Sequence, residues 1–191
     1  MISVGKTSAA YDKFKKKLET VQHLQEDVTE YITRLFSSGN LTEQQSEQTA
    51  GLLYVTNNIQ RIADRCQDID GIWDQIESKG MKLSATANEE LGNCIAITCD
   101  LLNQAMEAVK EGSAEQAEQV FKNKKKMNKA EKKFNKAHLN RVKEQKCDPG
   151  LTIGFSGILY NLERAADNCV SIAEEALDNT GFVQLGEDAR E

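Results

Sequence analysis

The sequence predicts an all-α fold, and three observations support this prediction. Alanine, leucine, glutamate, lysine and glutamine are abundant, and these residues favour helices. The chain of 191 residues has one proline and 6% aromatic residues, fewer than a β-sandwich or barrel requires. Apolar residues also recur at alternating spacings of three and four, the period of a helix with one buried face.

The first two helices are predicted from this spacing and from their end signals. The first runs from about Ala9 to Phe36, and the glycine and asparagine in Ser37–Asn40 end it. The second begins after Thr42, where Gln45 completes a predicted capping box, and continues to about Ser78.

Three more helices are predicted downstream. They span about Ser84 to Glu111, Ala114 to Glu144, and from the turn at Cys147–Gly150 to about Asn179. Long helices joined by tight turns pack as an antiparallel bundle.

The second and fifth helices contain an internal repeat. Asn58–Ile69 aligns without gaps on Asn161–Ile172 at an offset of 103, with six of the twelve positions identical. The apolar faces have the same phase in both copies, which indicates a duplicated unit of three helices.

The duplication predicts two tandem antiparallel three-helix bundles, of which the first lacks most of its first helix. The counterpart of the third helix would lie upstream of Met1. We therefore expect a first repeat at 1–80, a second at 81–180 and an acidic tail at 181–191. Either the chain is cut from a longer one, which we favour, or a second molecule covers the open apolar face as in a homodimer.

Composition excludes several classes of protein. No stretch approaches the roughly 18 apolar residues that span a bilayer. The net charge of −6 argues against nucleic acid as a partner. The five cysteines form no CxxC pair, which favours reduced thiols and a cytoplasmic location.

The fourth helix is strongly basic. Phe121–Lys146 holds ten lysines and one arginine against two glutamates, so this segment has a charge of +9. A solvated face is one interpretation. The other is a surface that contacts anionic lipid headgroups or an acidic protein.

Two carboxylates of the fifth helix are candidate metal ligands. Glu163 and Asp167 are four residues apart and share a helix face, so together they could bind one cation. Asp64 occupies the position of Asp167 in the first copy, but Gln60 replaces the glutamate. The spacing is equally typical of a solvated pair of acids.

Asn161–Glu174 resembles the repeated ExxxD signature of PhoU proteins, and Asn58–Ile69 resembles its other copy. The resemblance covers most of the chain and implies tandem three-helix bundles. Val28–Ile32, Leu41–Glu43 and His138–Val142 are similar to segments of the PhoU-like domains of sodium/phosphate cotransporter proteins.

This resemblance implies a cytoplasmic regulatory or interaction domain at the inner face of the cell membrane, without enzymatic activity. Its partner would be a transporter domain of the same or an associated polypeptide, and its role would be in phosphate uptake or homeostasis. A free-standing phosphate-response regulator is the alternative, and a metal-dependent helical enzyme is a third hypothesis.

Some PhoU proteins bind iron or zinc clusters through the ExxxD carboxylates, which implies Asp64, Glu163 and Asp167 as ligands here. The sequence departs from the family pattern at several positions. The preceding helices usually add acidic residues, whereas this chain has Gln22, Lys124 and Asn128 in the comparable stretches.

Overall fold

The computed structural model describes residues 8–178 as five α-helices and one short 3-10 helix. The helices are α1 (Ser8–Ser37), α2 (Glu43–Ser78), α3 (Ala85–Glu111), α4 (Ala114–Lys143) and α5 (Thr152–Asp178), and the 3-10 helix (Pro149–Leu151) precedes α5. Within these residues there is no strand, and the predicted all-α class is confirmed. The predicted acidic tail at 181–191 lies outside the described residues.

The helix ends follow the sequence signals. The predicted capping box at the start of α2 is present: Thr42 Oγ1 accepts a hydrogen bond from the Gln45 amide at 3.2 Å, and Gln45 Oε1 accepts one from the Thr42 amide at 3.0 Å. Ser84 caps α3 in the same way as Thr42, through the Ala87 amide. Gly112 ends α3 with a φ of 60°, in the left-handed region that glycine adopts without strain.

Helices α3, α4 and α5 form a three-helix bundle around a buried apolar core. The three helices pack against one another, and each contributes side chains that are fully removed from water. The largest of these are Leu91, Leu101, Met127, Phe155, Ile158, Leu159 and Ile172.

Helix α2 packs along α5 in the antiparallel direction. The end of α2 lies beside the start of α5, where Ile76 and Ile72 approach Gly154 and Gly157. Farther along, Arg65 Nη1 donates to Asn161 Oδ1 at 3.2 Å. Helix α1 packs mainly on α2.

The repeated helices differ in the burial of their equivalent apolar positions. At two pairs of equivalent positions, Val55 with Ile158 and Ile62 with Ala165, both residues are buried. At five other pairs the α5 residue is buried, whereas the residue 103 positions earlier in α2 is half-buried or, for Cys66, exposed. The pairs are Leu52 and Phe155, Ile59 and Leu162, Cys66 and Cys169, Ile69 and Ile172, and Trp73 and Ala176. Ile59, Ile69 and Trp73 nevertheless pack against the buried core of the protein. The incomplete first bundle and the division into repeats at 1–80 and 81–180 stay predictions.

All five cysteines are free thiols. Burial raises the pKa of Cys94 to about 11 and that of Cys169 to about 12, so both are neutral at physiological pH. These two side chains are therefore part of the core.

The contact between α2 and α5 depends on the missing side chain of Gly154. A Cβ at this position would lie 2.8 Å from Ile76 Cδ1, whereas a Cβ at Gly92 on the exposed side of α3 would meet nothing within 4 Å. We expect Gly154→Ala to lower the free energy of unfolding by about 1 kcal/mol, since overpacking outweighs the gain in helix propensity. The matched control Gly92→Ala should raise it by about 0.5–1 kcal/mol. Urea unfolding of both variants measures the difference, and equal changes would contradict the close packing.

Candidate functional site

The predicted carboxylate pair of α5 is bridged by a lysine of α4. Lys124 Nζ lies 2.6 Å from Glu163 Oε1 and 2.5 Å from Asp167 Oδ1. It also donates to the main-chain carbonyl oxygen of Glu163 at 3.2 Å. The two contacts with Glu163 are hydrogen bonds, and the contact with Asp167 is an ion pair.

A second cation completes the cluster from within α5. Arg164 Nη1 lies 3.0 Å from Asp167 Oδ2, and Nη2 of the same guanidinium pairs with Glu163 Oε2. Each of the four carboxylate oxygens therefore contacts one cation, and the cluster has no net charge. The Arg164 guanidinium also lies over the ring of Tyr160, 5.3 Å from its centroid.

The inner half of this cluster is shielded from water. The Lys124 and Glu163 side chains are 12% and 16% exposed, whereas those of Asp167 and Arg164 are 39% and 44% exposed. Burial by itself raises the pKa of Glu163, but the hydrogen bond and charge of Lys124, followed by those of Arg164, hold it below its ordinary value. Glu163 is therefore ionised at neutral pH.

The equivalent group of the first repeat is built differently. Asp64 is exposed and accepts a hydrogen bond from Gln60 Nε2 at 2.9 Å, one turn away on α2. The structure brings Glu163 and Asp167 together at Lys124 and Arg164. Asp64 is not part of this cluster.

The carboxylates of the cluster bind cationic side chains and are not arranged around a vacant metal position. In the part of the chain from 8 to 178, no group of three or more histidine, cysteine, aspartate and glutamate side chains is arranged to hold a metal. At Glu163 and Asp167 the inner carboxylate oxygens are already bound to the Lys124 ammonium. This pair as it stands does not fit an added cation, and metal binding by Asp64, Glu163 and Asp167 stays a prediction.

Comparison with known proteins identifies the part of the chain that carries this cluster. The family described as PhoU domain matches residues 91–176. A PhoU domain is found at these residues. The match begins in α3, includes all of α4 and ends near the end of α5, so it contains Lys124, Glu163 and Asp167. Neither a curated protein nor a solved structure matches the chain.

A second ion pair, which sequence analysis missed, joins Arg141 of the PhoU domain to Glu90, one residue before the matched range. Arg141 on α4 makes a two-pronged contact with Glu90 on α3, with Nη1 2.9 Å from Oε1 and Nη2 2.6 Å from Oε2. Both side chains are largely buried, at 17% and 11% exposure. The two residues are 51 positions apart on different helices, so no local spacing could have linked them.

A buried histidine of the PhoU domain lies one turn before Arg141. The His138 ring is fully buried and stacks on Phe155, with centroids 4.4 Å apart. Its Nδ1 lies 3.9 Å from Cys147 Sγ, and its Nε2 has no hydrogen-bond partner among the described residues. Burial lowers the pKa of His138 and the charge of Arg141 lowers it further, while Glu90 opposes this change.

His138 makes stability depend on pH. The unfolded chain binds a proton at the ordinary histidine pKa near 6.5, whereas the folded protein binds it at a lower pH. The contribution of His138 to stability is therefore complete above pH 6.5 and is lost as the pH falls below it. We expect urea unfolding at pH 7.5 and 5.5 to show a smaller loss of stability for His138→Phe than for the wild type. The control His23→Phe changes an exposed histidine and should keep the wild-type pH dependence of stability. Equal losses of stability in His138→Phe and His23→Phe between these two pH values would contradict the role of His138.

The repeated asparagines of the two signatures have similar but unequal environments. Asn58 Nδ2 donates to the Tyr54 carbonyl at 2.9 Å, and Asn161 Nδ2 donates to the Gly157 carbonyl at 3.0 Å. Asn161 Oδ1 also accepts from Arg65 across the contact between α2 and α5, while the buried Asn58 Oδ1 has no hydrogen-bond partner within residues 8–178. Asn161 therefore connects the PhoU domain to α2.

None of the helices within residues 8–178 is long and apolar enough to cross a membrane.

Proposed function

We propose that this chain is a regulatory domain of a sodium-dependent phosphate transporter. The PhoU domain at residues 91–176 is the observation that carries the proposal, because a PhoU domain suggests a phosphate-related regulatory role. The resemblance of Val28–Ile32 and His138–Val142 to segments of sodium/phosphate cotransporter proteins supports the link to a transporter. In this proposal the domain lies in the cytoplasm at the inner face of the membrane.

The ion pairs of the site favour a regulatory function over an enzymatic one. General acid catalysis requires a carboxyl group with a pKa near the working pH. Glu163 has a lowered pKa, and each of its carboxylate oxygens contacts a cation. Such a group stabilises the packing of α4 on α5 and is poorly suited to transfer protons.

The exposed apolar side chains of α1 support attachment to a larger assembly. Leu24 and Tyr31 of α1 are 57% and 67% exposed, whereas Ile59, Ile69 and Trp73 of α2 are half-buried against the core. In this proposal a helix of the transporter covers the exposed side chains of α1. A homodimer of a free-standing phosphate-response regulator is the alternative occupant.

The outer side of α4 is the proposed contact with the membrane. Seven exposed lysines form this lysine face: Lys122, Lys125, Lys126, Lys129, Lys132, Lys133 and Lys136. In the described part of the chain, Lys122 alone among them pairs with a carboxylate, that of Glu118 at 3.7 Å. Helix α4 packs on α3 and α5, so the lysine face is open to anionic lipid headgroups.

Cell fractionation tests the link to a transporter. An antibody against the chain should detect a polypeptide larger than 21.3 kDa that stays with the membrane after alkaline carbonate washing, because a spanning segment resists this treatment. A species of 21.3 kDa in the soluble fraction would contradict the transporter proposal and favour the free-standing regulator.

A further inference from the structure

The ammonium group of Lys124 lies where three oxygen atoms of α5 converge. These are Glu163 Oε1 at 2.6 Å, Asp167 Oδ1 at 2.5 Å and the Glu163 carbonyl oxygen at 3.2 Å. Two carboxylates and one carbonyl are the ligand types that hard divalent cations prefer. The lysine therefore occupies the position in which a metal ion would find these ligands.

We propose that Lys124 takes the place of a metal ion between Glu163 and Asp167. The second signature of the chain, Asn161–Glu174, therefore connects α4 to α5 without a metal ion. Together with Arg164, the lysine neutralises Glu163 and Asp167, and it connects α4 to α5 through two hydrogen bonds to Glu163 and an ion pair with Asp167. Because the ammonium group is part of a side chain, it does not dissociate from the protein, and a chelator cannot remove it. The proposal concerns the PhoU domain alone and does not depend on the link to a transporter.

The first repeat serves as an internal comparison. Residues 18–25 of α1, the stretch comparable to that around Lys124, contain no lysine or arginine. In the same repeat Gln60 replaces the glutamate, and Asp64 is exposed to water. The signature that has a lysine thus has two carboxylates, and the signature that lacks the lysine has one.

Elementary electrostatics explains this correspondence. Glu163 is largely buried, and an unpaired carboxylate in such a position is costly because it has lost its hydration. A neutral amide at Gln60 needs no cation, and water solvates the single carboxylate of Asp64. Each repeat therefore avoids an unpaired buried charge, by a lysine in one case and by an amide in the other.

The test compares Lys124→Met with Lys125→Met, a neighbouring exposed lysine of the same helix. Elemental analysis of the full chain purified without chelator should find no stoichiometric iron, zinc or manganese in the wild type. EDTA and millimolar Mn²⁺ should leave the melting temperatures of the wild type and Lys125→Met unchanged. Lys124→Met should melt several degrees lower, because a difference of 1 kcal/mol shifts Tm by about 2–4 °C in a protein of this size. Mn²⁺ should restore part of that loss.

Three results would overturn the proposal. The first is one equivalent of metal in the wild type, the second is equal melting temperatures of the two variants, and the third is a Lys124→Met variant that Mn²⁺ does not stabilise. If Lys124→Met does not fold, Glu163→Gln takes its place, because it copies the first signature. Glu163→Gln should be as insensitive to EDTA and Mn²⁺ as the wild type, and a chelator-sensitive metal that it removes from the protein would contradict the proposal.

Discussion

Replacing Arg141 with methionine is expected to destabilise the protein by about 3–5 kcal/mol, the usual cost of removing one partner of a buried ion pair. The Glu90 side chain is 11% exposed, and its two carboxylate oxygens accept hydrogen bonds from the guanidinium. Without Arg141 this charge would remain in the bundle without a partner, or Glu90 would take up a proton. Either outcome lowers the free energy of unfolding.

The control for Arg141→Met is Lys143→Met, on the exposed side of the same helix. It removes the same charge from α4 and should change the free energy of unfolding by less than about 0.5 kcal/mol. The double variant with Glu90→Leu and Arg141→Met should be more stable than Arg141→Met alone, because no unpaired charge remains. Urea unfolding measures all three, and equal midpoints for the two single variants would show that the ion pair contributes little.

Neutralising three neighbouring lysines of the lysine face should weaken binding to anionic vesicles by about 100-fold, since each lysine near such a surface contributes about 1 kcal/mol. Lys125, Lys129 and Lys132 follow one side of α4 over two turns, and they make no ion pair within residues 8–178. Changing all three to glutamine should leave the fold intact because these side chains are exposed. Sedimentation with vesicles of phosphatidylserine and phosphatidylcholine measures the loss of binding.

The matched control changes Lys13, Lys16 and Lys17, three exposed lysines of α1, to glutamine. It lowers the net charge by the same amount but leaves the lysine face unchanged, so it should keep most of the binding. Equal losses in both variants would mean that net charge alone drives adsorption. A wild type that ignores anionic vesicles but binds an acidic polypeptide would replace the membrane by a protein as the partner of the lysine face.

Local sequence signals were sufficient for the helices and their ends. The apolar spacing located all five helices, and the capping box at Thr42 and Gln45 is formed as predicted. These features depend on residues within one or two turns of each other, so spacing alone determines them.

The long-range pairs of the site were harder to predict. Lys124 stands in a stretch where the resemblance implies acidic residues. Its contact with Glu163 depends on how α4 aligns with α5, and no local pattern determines this alignment. Glu90 and Arg141 come from different helices and gave no signal at all. Comparison of the two signatures indicates part of this contact. The copy with Lys124 has Glu163, and the copy without a comparable lysine has Gln60.

Uptake of labelled phosphate by cells tests the proposed regulation of phosphate transport most directly. Sodium-dependent uptake is measured over a range of external phosphate in cells with the intact gene and in cells lacking the segment that encodes 85–178. We predict that the intact gene gives uptake that responds to external phosphate, and that loss of the PhoU domain changes its level or abolishes its response. Identical uptake curves in the two strains would contradict the proposed function.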